Sequence, residues 1–366
     1  MGKLPSSGIT RTESTWIVEP SEAVLVTGSS GFIGRHVVGE LIEKGFSDIR
    51  CLVRETSDIK GLTDIIKEKG GDGKATIVQG NLLSPDDCLK VTKNVKLIYH
   101  LAAGTGTKSF SEAYLNSVIT TRNLIEAALH HRCLKRFVNV SSFAVYANRG
   151  KKTGRVLDET CPVETSPETR AEAYCYGKVK QDELVMDYGK RSGLPYVIVR
   201  PGTVYGPGKK FIPGRVGIDT FGVFLHFGGS NPLPLSYVEN CAEAIVLAGL
   251  IPGIDSEVFN IVDDDLPTSR EFLKLYKKNV QSFRSIYIPK PVGFLFCFLW
   301  EKFSQWSKGQ IPPVYTPRER AAYWEKTFYT NKKLKDKTGW SPRVSTAVGL
   351  RLFFSACRQG SSGKDK

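Results

Sequence analysis

Three groups of residues in this 366-residue chain have the types and spacing to do chemistry. The first lies in "VLVTGSSGFIGRHVV" (Val24 to Val38), where Gly28, Gly31 and Gly34 stand three apart between an apolar run and a helical pattern. Glycines at a strand-to-helix turn let the backbone turn tightly and come close to a phosphate, and the helix N-terminus beyond them offers unpaired N–H groups and a positive dipole end. The second group is Ser141 and Ser142, at the end of the apolar run "RFVNVSS". The third is "YCYGKVK", in which two Tyr-x-x-x-Lys pairs overlap, Tyr174 with Lys178 and Tyr176 with Lys180. That spacing puts a phenol and an ammonium on one face of a helix. The ammonium favours the phenolate, so it is expected to lower a phenol pKa that is ordinarily ~10 and to suit the phenol to general acid–base work. Tyr174 and Tyr176 point about 200° apart on a helix of ~3.6 residues per turn, so only one pair faces a given site.

These groups need a scaffold, and the chain alternates in the required way. "AVLVT" (Ala23 to Thr27) reads as a buried strand, and "IRCLV" (Ile49 to Val53), "ATIVQ" (Ala75 to Gln79), "KLIYHLA" (Lys96 to Ala102), "RFVNVSS" (Arg136 to Ser142) and "PYVIVRP" (Pro195 to Pro201) read as further strands. Helical patterns separate them, among them "FIGRHVVGELIEKG", "NSVITTRNLIEAALHH" (Asn116 to His131) and "AEAYCYGKVKQDELVMDYGKRS". The alternation predicts an α/β fold with a doubly wound parallel sheet covered on both faces. After about residue 205 glycine and proline become frequent, then "NCAEAIVLAGL" and "EVFNIV" return to helix and strand. The expected organisation is a tail at 1–20, a nucleotide domain at 21–205 with about 236–262, and a smaller discontinuous lobe at about 206–235 and 263–356. A second tail is expected at 357–366.

The glycine turn with its preceding "TG", together with "YHLAA" (Tyr99 to Ala103), "NVSSFAVYA" (Asn139 to Ala147), "YCYGK" and "RPGTVYGPG" (Arg200 to Gly208), resembles the extended short-chain dehydrogenase/reductases, the NAD-dependent epimerase/dehydratase family, over roughly residues 22 to 265. The resemblance implies a Rossmann domain and a C-terminal substrate lobe. It also implies a homodimer built on the Asn116–His131 and Tyr174 helices. It favours Tyr174 as acid–base and Lys178 as its partner and the ribose holder, because Asp182, Glu183, Leu184 and Val185 follow Lys178 in the family's pattern. Ser142 falls on the family's catalytic hydroxyl. The cofactor-binding positions it implies are Gly28, Ser30, Gly31, Phe32, Ile33, Gly34, Arg54, Asn81, Leu82, Leu101, Ala102, Ala103, Lys178, Pro201 and Val204. The chain departs from the family at Gly177, usually Ser, and at Asn81, usually Asp.

Arg54 stands where an acidic residue would grip a ribose diol, and its planar guanidinium suits a 2′-phosphate, which leans the expected cofactor, NAD(P), towards NADP. The stretch "NPLPLSYVENCAEAIVLA" lacks the arginine that sugar-nucleotide enzymes of the family place there, and it resembles the 3β-hydroxysteroid dehydrogenase and dihydroflavonol-reductase-like branch. The reading is an oxidoreductase on a secondary alcohol or ketone of an apolar small molecule. A nucleotide-sugar epimerase or dehydratase, with Arg215 holding the diphosphate, is the alternative, and a non-catalytic nucleotide sensor is a third.

A ten-residue apolar run, Pro291 to Trp300, is too short to span ~30 Å of hydrocarbon. It reads as an interfacial helix with peripheral membrane contact through 291–306, as a lid, or as core. The net charge of +14 would add attraction to anionic lipid. The basic residues are spread rather than striped, so no nucleic-acid partner is expected. Eight scattered cysteines predict a reducing, cytoplasmic setting without disulfides, and the histidine spacing predicts no metal. Met1, Gly2 and Ser6 match the loose N-myristoylation pattern.

Overall fold

The computed structural model describes residues 16–104, 109–147, 154–170, 172–220, 222–307, 310 and 316–362. Among them, seven strands form one parallel sheet: β1 (Val24–Thr27), β2 (Ile49–Val53), β3 (Ala75–Gln79), β4 (Leu97–His100), β5 (Arg136–Val140), β6 (Tyr196–Pro201) and β7 (Val258–Ile261). Their spatial order is β7-β6-β5-β4-β1-β2-β3. The central strands are apolar at nearly every position because both faces of a parallel sheet are covered. Alternate side chains of one strand enter different cores. Val24 and Val26 pack with α1 (Phe32–Glu43), whereas Leu25 packs in the opposite core. The remaining elements of this domain are α2 (Lys60–Glu68), α3 (Pro85–Thr92), α4 (Phe110–Ala113, the π turn Tyr114–Ile119 and Thr120–His130), α5 (Ala173–Ser192) and α6 (Val238–Leu250).

The smaller lobe has a three-stranded sheet of Gly217–Thr220, Val223–His226 and Ser285–Tyr287. Around it lie α7 (Ser269–Asn279), α8 (Lys290–Trp306), α9 (Pro317–Trp324) and α11 (Thr346–Ser362), with α10 (Lys332–Thr338) between the last two. Its aromatic core joins Tyr205, Phe272, Tyr276, Phe353 and Phe354.

The structure corrects several expected boundaries. Residues 16–20 are no tail: Trp16 stacks on Phe46, Ile17 N donates to Leu250 O at 3.0 Å, and Val18 is fully buried. The myristoylation pattern lies outside the described residues. At the other end α11 runs through Cys357, which is buried, so the chain stays helical to Ser362. Residues 332–340 belong with the large sheet rather than the lobe, because Leu334 and Trp340 pack in its core. Conversely, Arg155–Leu157 pairs with Thr327–Tyr329 of the lobe. The eight cysteines are free thiols.

The sheet ends are tied to α5 by a buried charge cluster. The Asp182 carboxylate accepts from Asn139 Nδ2 (2.9 Å), Ser141 Oγ (2.9 Å) and Arg200 Nε and Nη2 (3.2 and 3.1 Å). The Arg200 guanidinium lies 4.9 Å from the Tyr146 ring centroid, and Tyr146 OH donates to Asn260 Oδ1 at 2.6 Å. β5, β6, β7 and α5 thus share one polar knot. Removing one partner leaves the other charge uncompensated. Arg200→Met is expected to cost about 3–5 kcal/mol, read as a lowered urea midpoint at unchanged slope; a loss below ~1 kcal/mol would contradict the assignment of this pair as a structural tie.

Candidate functional site

The strand order reverses between β1 and β4, the place where open α/β sheets bind ligands beyond their strand ends. A crevice of about 610 Å³ opens there. Its floor is the glycine turn. Gly28 has φ +66°, and a Cβ on it would stand 2.9 Å from Ala102 N; one on Gly34 would be 2.2 Å from Gly28 O. Only glycine fits these positions, and the backbone they expose leads into α1, whose N-cap Gly31 gives no side-chain cap and whose first turn holds no acidic residue. The chemistry of this cradle fits the pyrophosphate of a dinucleotide.

Of the positions that the resemblance implied for the cofactor, Gly28, Ser30, Gly31, Phe32, Ile33, Gly34, Arg54, Asn81, Leu82, Leu101, Ala102, Ala103 and Lys178 line the crevice. Pro201 and Val204 do not. Pro201 ends β6 in register with Ile261, and Val204 pairs with Ser236 and packs in the core beside Cys241. Asn81 Oδ1 accepts from Leu83 N at 3.0 Å, so the amide caps its own turn. The crevice also takes in Ser57, Asn116, Thr120 and Lys209, which the sequence reading passed over. Asn116 and Thr120 arrive through the π turn, which shifts the register of α4 and leaves no trace in hydrophobic periodicity. Lys209 comes from a glycine-flanked loop, and its amine lies 4.7 Å from the Phe32 ring centroid. Burial and then Arg35 push that amine's pKa down.

The two Tyr–Lys pairs are now separated. Tyr174 and Lys178 line the crevice. Tyr176 meets Phe110 edge-on at 5.1 Å, and Lys180 pairs with Glu183 at 2.9 Å. The serines divide as well: Ser141 lines the crevice and its Oγ donates to Asp182, whereas the Ser142 hydroxyl accepts from Ala144 N at 3.2 Å and acts on Tyr174. Gly177 has a packing reason. A Cβ there would lie 3.1 Å from Ser117 Oγ and 3.3 Å from Ala113 O, where α5 crosses α4.

The expected depression of the phenol pKa by the lysine is corrected. Burial pushes Tyr174 above its ordinary value, and Ser142 only offsets part of this. The Lys178 amine instead donates to Val140 O (2.7 Å) and Gln181 Oε1 (2.9 Å). Burial pushes its pKa down to about 8, with Asp182 pulling the other way.

A polar chain runs on from there. Gln181 Nε2 donates to Thr121 Oγ1 at 2.8 Å, and Thr121 donates to Ser117 O. Thr121 Oγ1 also meets His100 Nε2 at 2.8 Å, and His100 Nδ1 meets Thr27 Oγ1 at 2.8 Å. Because the Thr121 proton is already committed, Nε2 donates, and Nδ1 accepts from Thr27. Ala102 N closes the chain by donating to Thr27 Oγ1 at 3.3 Å, so the line connects Lys178 with the backbone at the crevice wall.

This arrangement needs a neutral imidazole. Burial first, and then Lys178, hold the His100 pKa at about 3, below its ordinary 6.5. Between those values the unfolded chain binds a proton that the folded chain does not, so stability is lost as pH falls through the window. Relative to His100→Gln, the wild-type unfolding free energy is expected to fall more steeply between pH 6 and pH 4, by up to about 1.4 kcal/mol per pH unit. Urea titrations across that range check this; equal slopes would contradict it.

The family model for NAD dependent epimerase/dehydratases matches residues 24–261, from β1 to the end of β7. Among curated proteins, the chain is 28% identical over 317 residues to the trifunctional UDP-glucose 4,6-dehydratase/UDP-4-keto-6-deoxy-D-glucose 3,5-epimerase/UDP-4-keto-L-rhamnose-reductase RHM2 of Arabidopsis thaliana, with 78% of this chain matched but only 45% of that protein's length. It is 26% identical over 356 residues to 3beta-hydroxysteroid-dehydrogenase/decarboxylase isoform 1 of the same plant, covering 92% of this chain and 79% of that protein. Among solved structures, the fold is similar to DesIV, a dTDP-glucose 4,6-dehydratase from Streptomyces venezuelae with NAD and TYD bound, at TM-score 0.69 and 21% identity over 94% of this chain and 99% of the other. The relatives and neighbours include dehydrogenases, epimerases and dehydratases. The chain belongs to the NAD-dependent epimerase/dehydratase family.

Proposed function

We propose that the protein is an NAD(P)-dependent oxidoreductase that interconverts a secondary alcohol and a ketone on an apolar small molecule. The observation that carries the proposal is the meeting of Tyr174 and Lys178 with the glycine turn in one crevice. The turn at Gly28–Gly34 would hold the pyrophosphate, and Lys178 the nicotinamide ribose. A bound nicotinamide supplies hydride transfer. Ser142 orients the substrate oxygen, and Tyr174 delivers its proton to that oxygen or removes it. The raised phenol pKa keeps Tyr174 protonated at neutral pH, which suits the reducing direction.

The apolar substrate is favoured by how the lobe's cations are engaged. Arg215, the candidate diphosphate ligand, donates to Ala322 O at 2.8 Å and lies over the Tyr323 ring at 5.4 Å. Arg170 pairs with Glu172 at 2.8 Å, and Arg320 with Glu325 at 3.2 Å. The even coverage of the 3beta-hydroxysteroid-dehydrogenase/decarboxylase supports the same reading. The sugar-nucleotide reading is favoured by the trifunctional relative and is checked by offering UDP- or dTDP-glucose and looking for turnover with no net change in NAD(P)H.

Within this reading NADP is preferred. Arg54 directly follows β2, lines the crevice, and shares a turn in which its N donates to Ser57 Oγ at 3.1 Å. NADPH is expected to bind at least about tenfold tighter than NADH, and Arg54→Asp to remove or reverse the preference. Fluorescence titration with both cofactors checks this, and equal affinities in the wild type would contradict it. With a sterol and flavonoid panel, Tyr174→Phe is expected to lower kcat by about 10²–10⁴ while leaving cofactor affinity intact. Stoichiometric NAD(P)H change with none of the panel, alongside sugar-nucleotide turnover, would overturn the substrate assignment.

A further inference from the structure

We propose that α8 lies in the interface of an anionic lipid bilayer, its long axis along the surface and its outer face among the acyl chains. The inference stands apart from the substrate reading. An ordinary surface helix turns its large apolar side chains inward. In α8 this is inverted. The residues it buries against the protein are Gly293, Cys297 and Ser304, which are small. The face turned outward carries Val292, Phe294, Leu295, Leu299, Phe303 and Trp306, at 53%, 48%, 55%, 56%, 46% and 78% exposure. Such a continuous apolar face marks an interaction site rather than scattered surface residues.

The edges of the face point to lipid. Tyr287, 47% exposed on the neighbouring strand, and Trp306 stand at its two ends, aromatics with a polar handle of the kind found at headgroup level. Cations border it. Lys290 opens the helix, Lys302 Nζ lies 5.8 Å from the Phe298 ring, and the Arg320 guanidinium 5.6 Å from Phe294; Lys290 and Arg320 share one carboxylate, Glu325, at 3.2 Å each, so the border keeps a net positive charge. Glu301 is the single acidic residue of α8. Lysines so placed can keep their stems on the apolar surface and their ammonium groups among phosphates. Two copies joined through this face would oppose these cations to one another, which disfavours a self-dimer there. Among the described residues no helix is long and apolar enough to cross a membrane, so the helix would lie on the surface rather than span it. The chain's net charge of +14 adds attraction to an anionic leaflet.

The test is flotation of the full chain with vesicles of phosphatidylcholine containing 30% phosphatidylglycerol, and with phosphatidylcholine alone. The protein is expected to float with the anionic vesicles and at least tenfold less with the neutral ones. Leu295→Glu/Leu299→Glu is expected to reduce anionic partitioning at least tenfold while NADPH affinity and the thermal midpoint stay as in the wild type, since both side chains face outward. Lys290→Glu/Lys302→Glu is expected to reduce the preference for anionic over neutral vesicles. Failure of the wild type to float would overturn the proposal. So would undiminished flotation of the double-Glu variant. A sedimentation dimer that this variant dissociates would assign the face to a second copy instead.

Discussion

The Lys178 ammonium is held 3% exposed by two neutral oxygens, Val140 O and Gln181 Oε1, and the rest of the site is arranged around that contact. A buried charge without a paired carboxylate is costly, by several kcal/mol. It persists only if its acceptors are fixed and the field of nearby Asp182 helps. β5 must therefore end where Val140 offers its carbonyl, and α5 must cross that end with Lys178 and Gln181 one turn apart. Thr121 of α4 must in turn hold the Gln181 amide. The same constraint places Tyr174, one turn earlier on α5, in the lining of the crevice.

Two buried networks meet this constraint from opposite sides. On one side, Asp182 gathers Asn139, Ser141 and Arg200 and locks the strand ends to α5. On the other, Thr27, His100 and Thr121 carry hydrogen bonds from Gln181 to the backbone of Ala102. Both are made of groups whose loss would leave an unsatisfied partner in a low-dielectric interior, and the Asp182 side still leaves Asn139 Oδ1 without a hydrogen bond. The smaller lobe is built differently, from aromatic contacts such as Phe227 on Trp324 at 4.2 Å. It leaves the chemistry to the sheet and presents α8 outward.

Most of the scaffold was legible in the sequence because parallel strands buried on both faces read as unbroken apolar runs. "IRCLV" matches β2 end to end, "ATIVQ" matches the edge strand β3, none of whose residues is fully buried, through its β-branched run, and the glycine turn appears at its expected place. The lobe was not legible. Its strands are three or four residues long, and Arg155–Leu157 finds Thr327–Tyr329 far along the chain, so no local pattern announces the pairing. The π turn that brings Asn116 and Thr120 to the crevice was invisible for the same reason. The lysine's effect on Tyr174 was misjudged because sequence spacing gives a shared helix face but not the acceptors that draw the amine away. Trp16 and Ile17 read as tail in the sequence because the residues before them are polar, yet their anchors, Phe46 and Leu250, lie far along the chain.

The most direct test of this account is the protonation of Lys178 itself, followed by side-chain NMR of isotope-labelled lysine in the cofactor-free protein, with Lys178→Met to assign the signal. Lys178 is expected to titrate near pH 8, set apart from the other lysines. Titration at the ordinary value of 10.5 would show an amine in contact with solvent rather than held by Val140 and Gln181, and would contradict the arrangement on which the site depends.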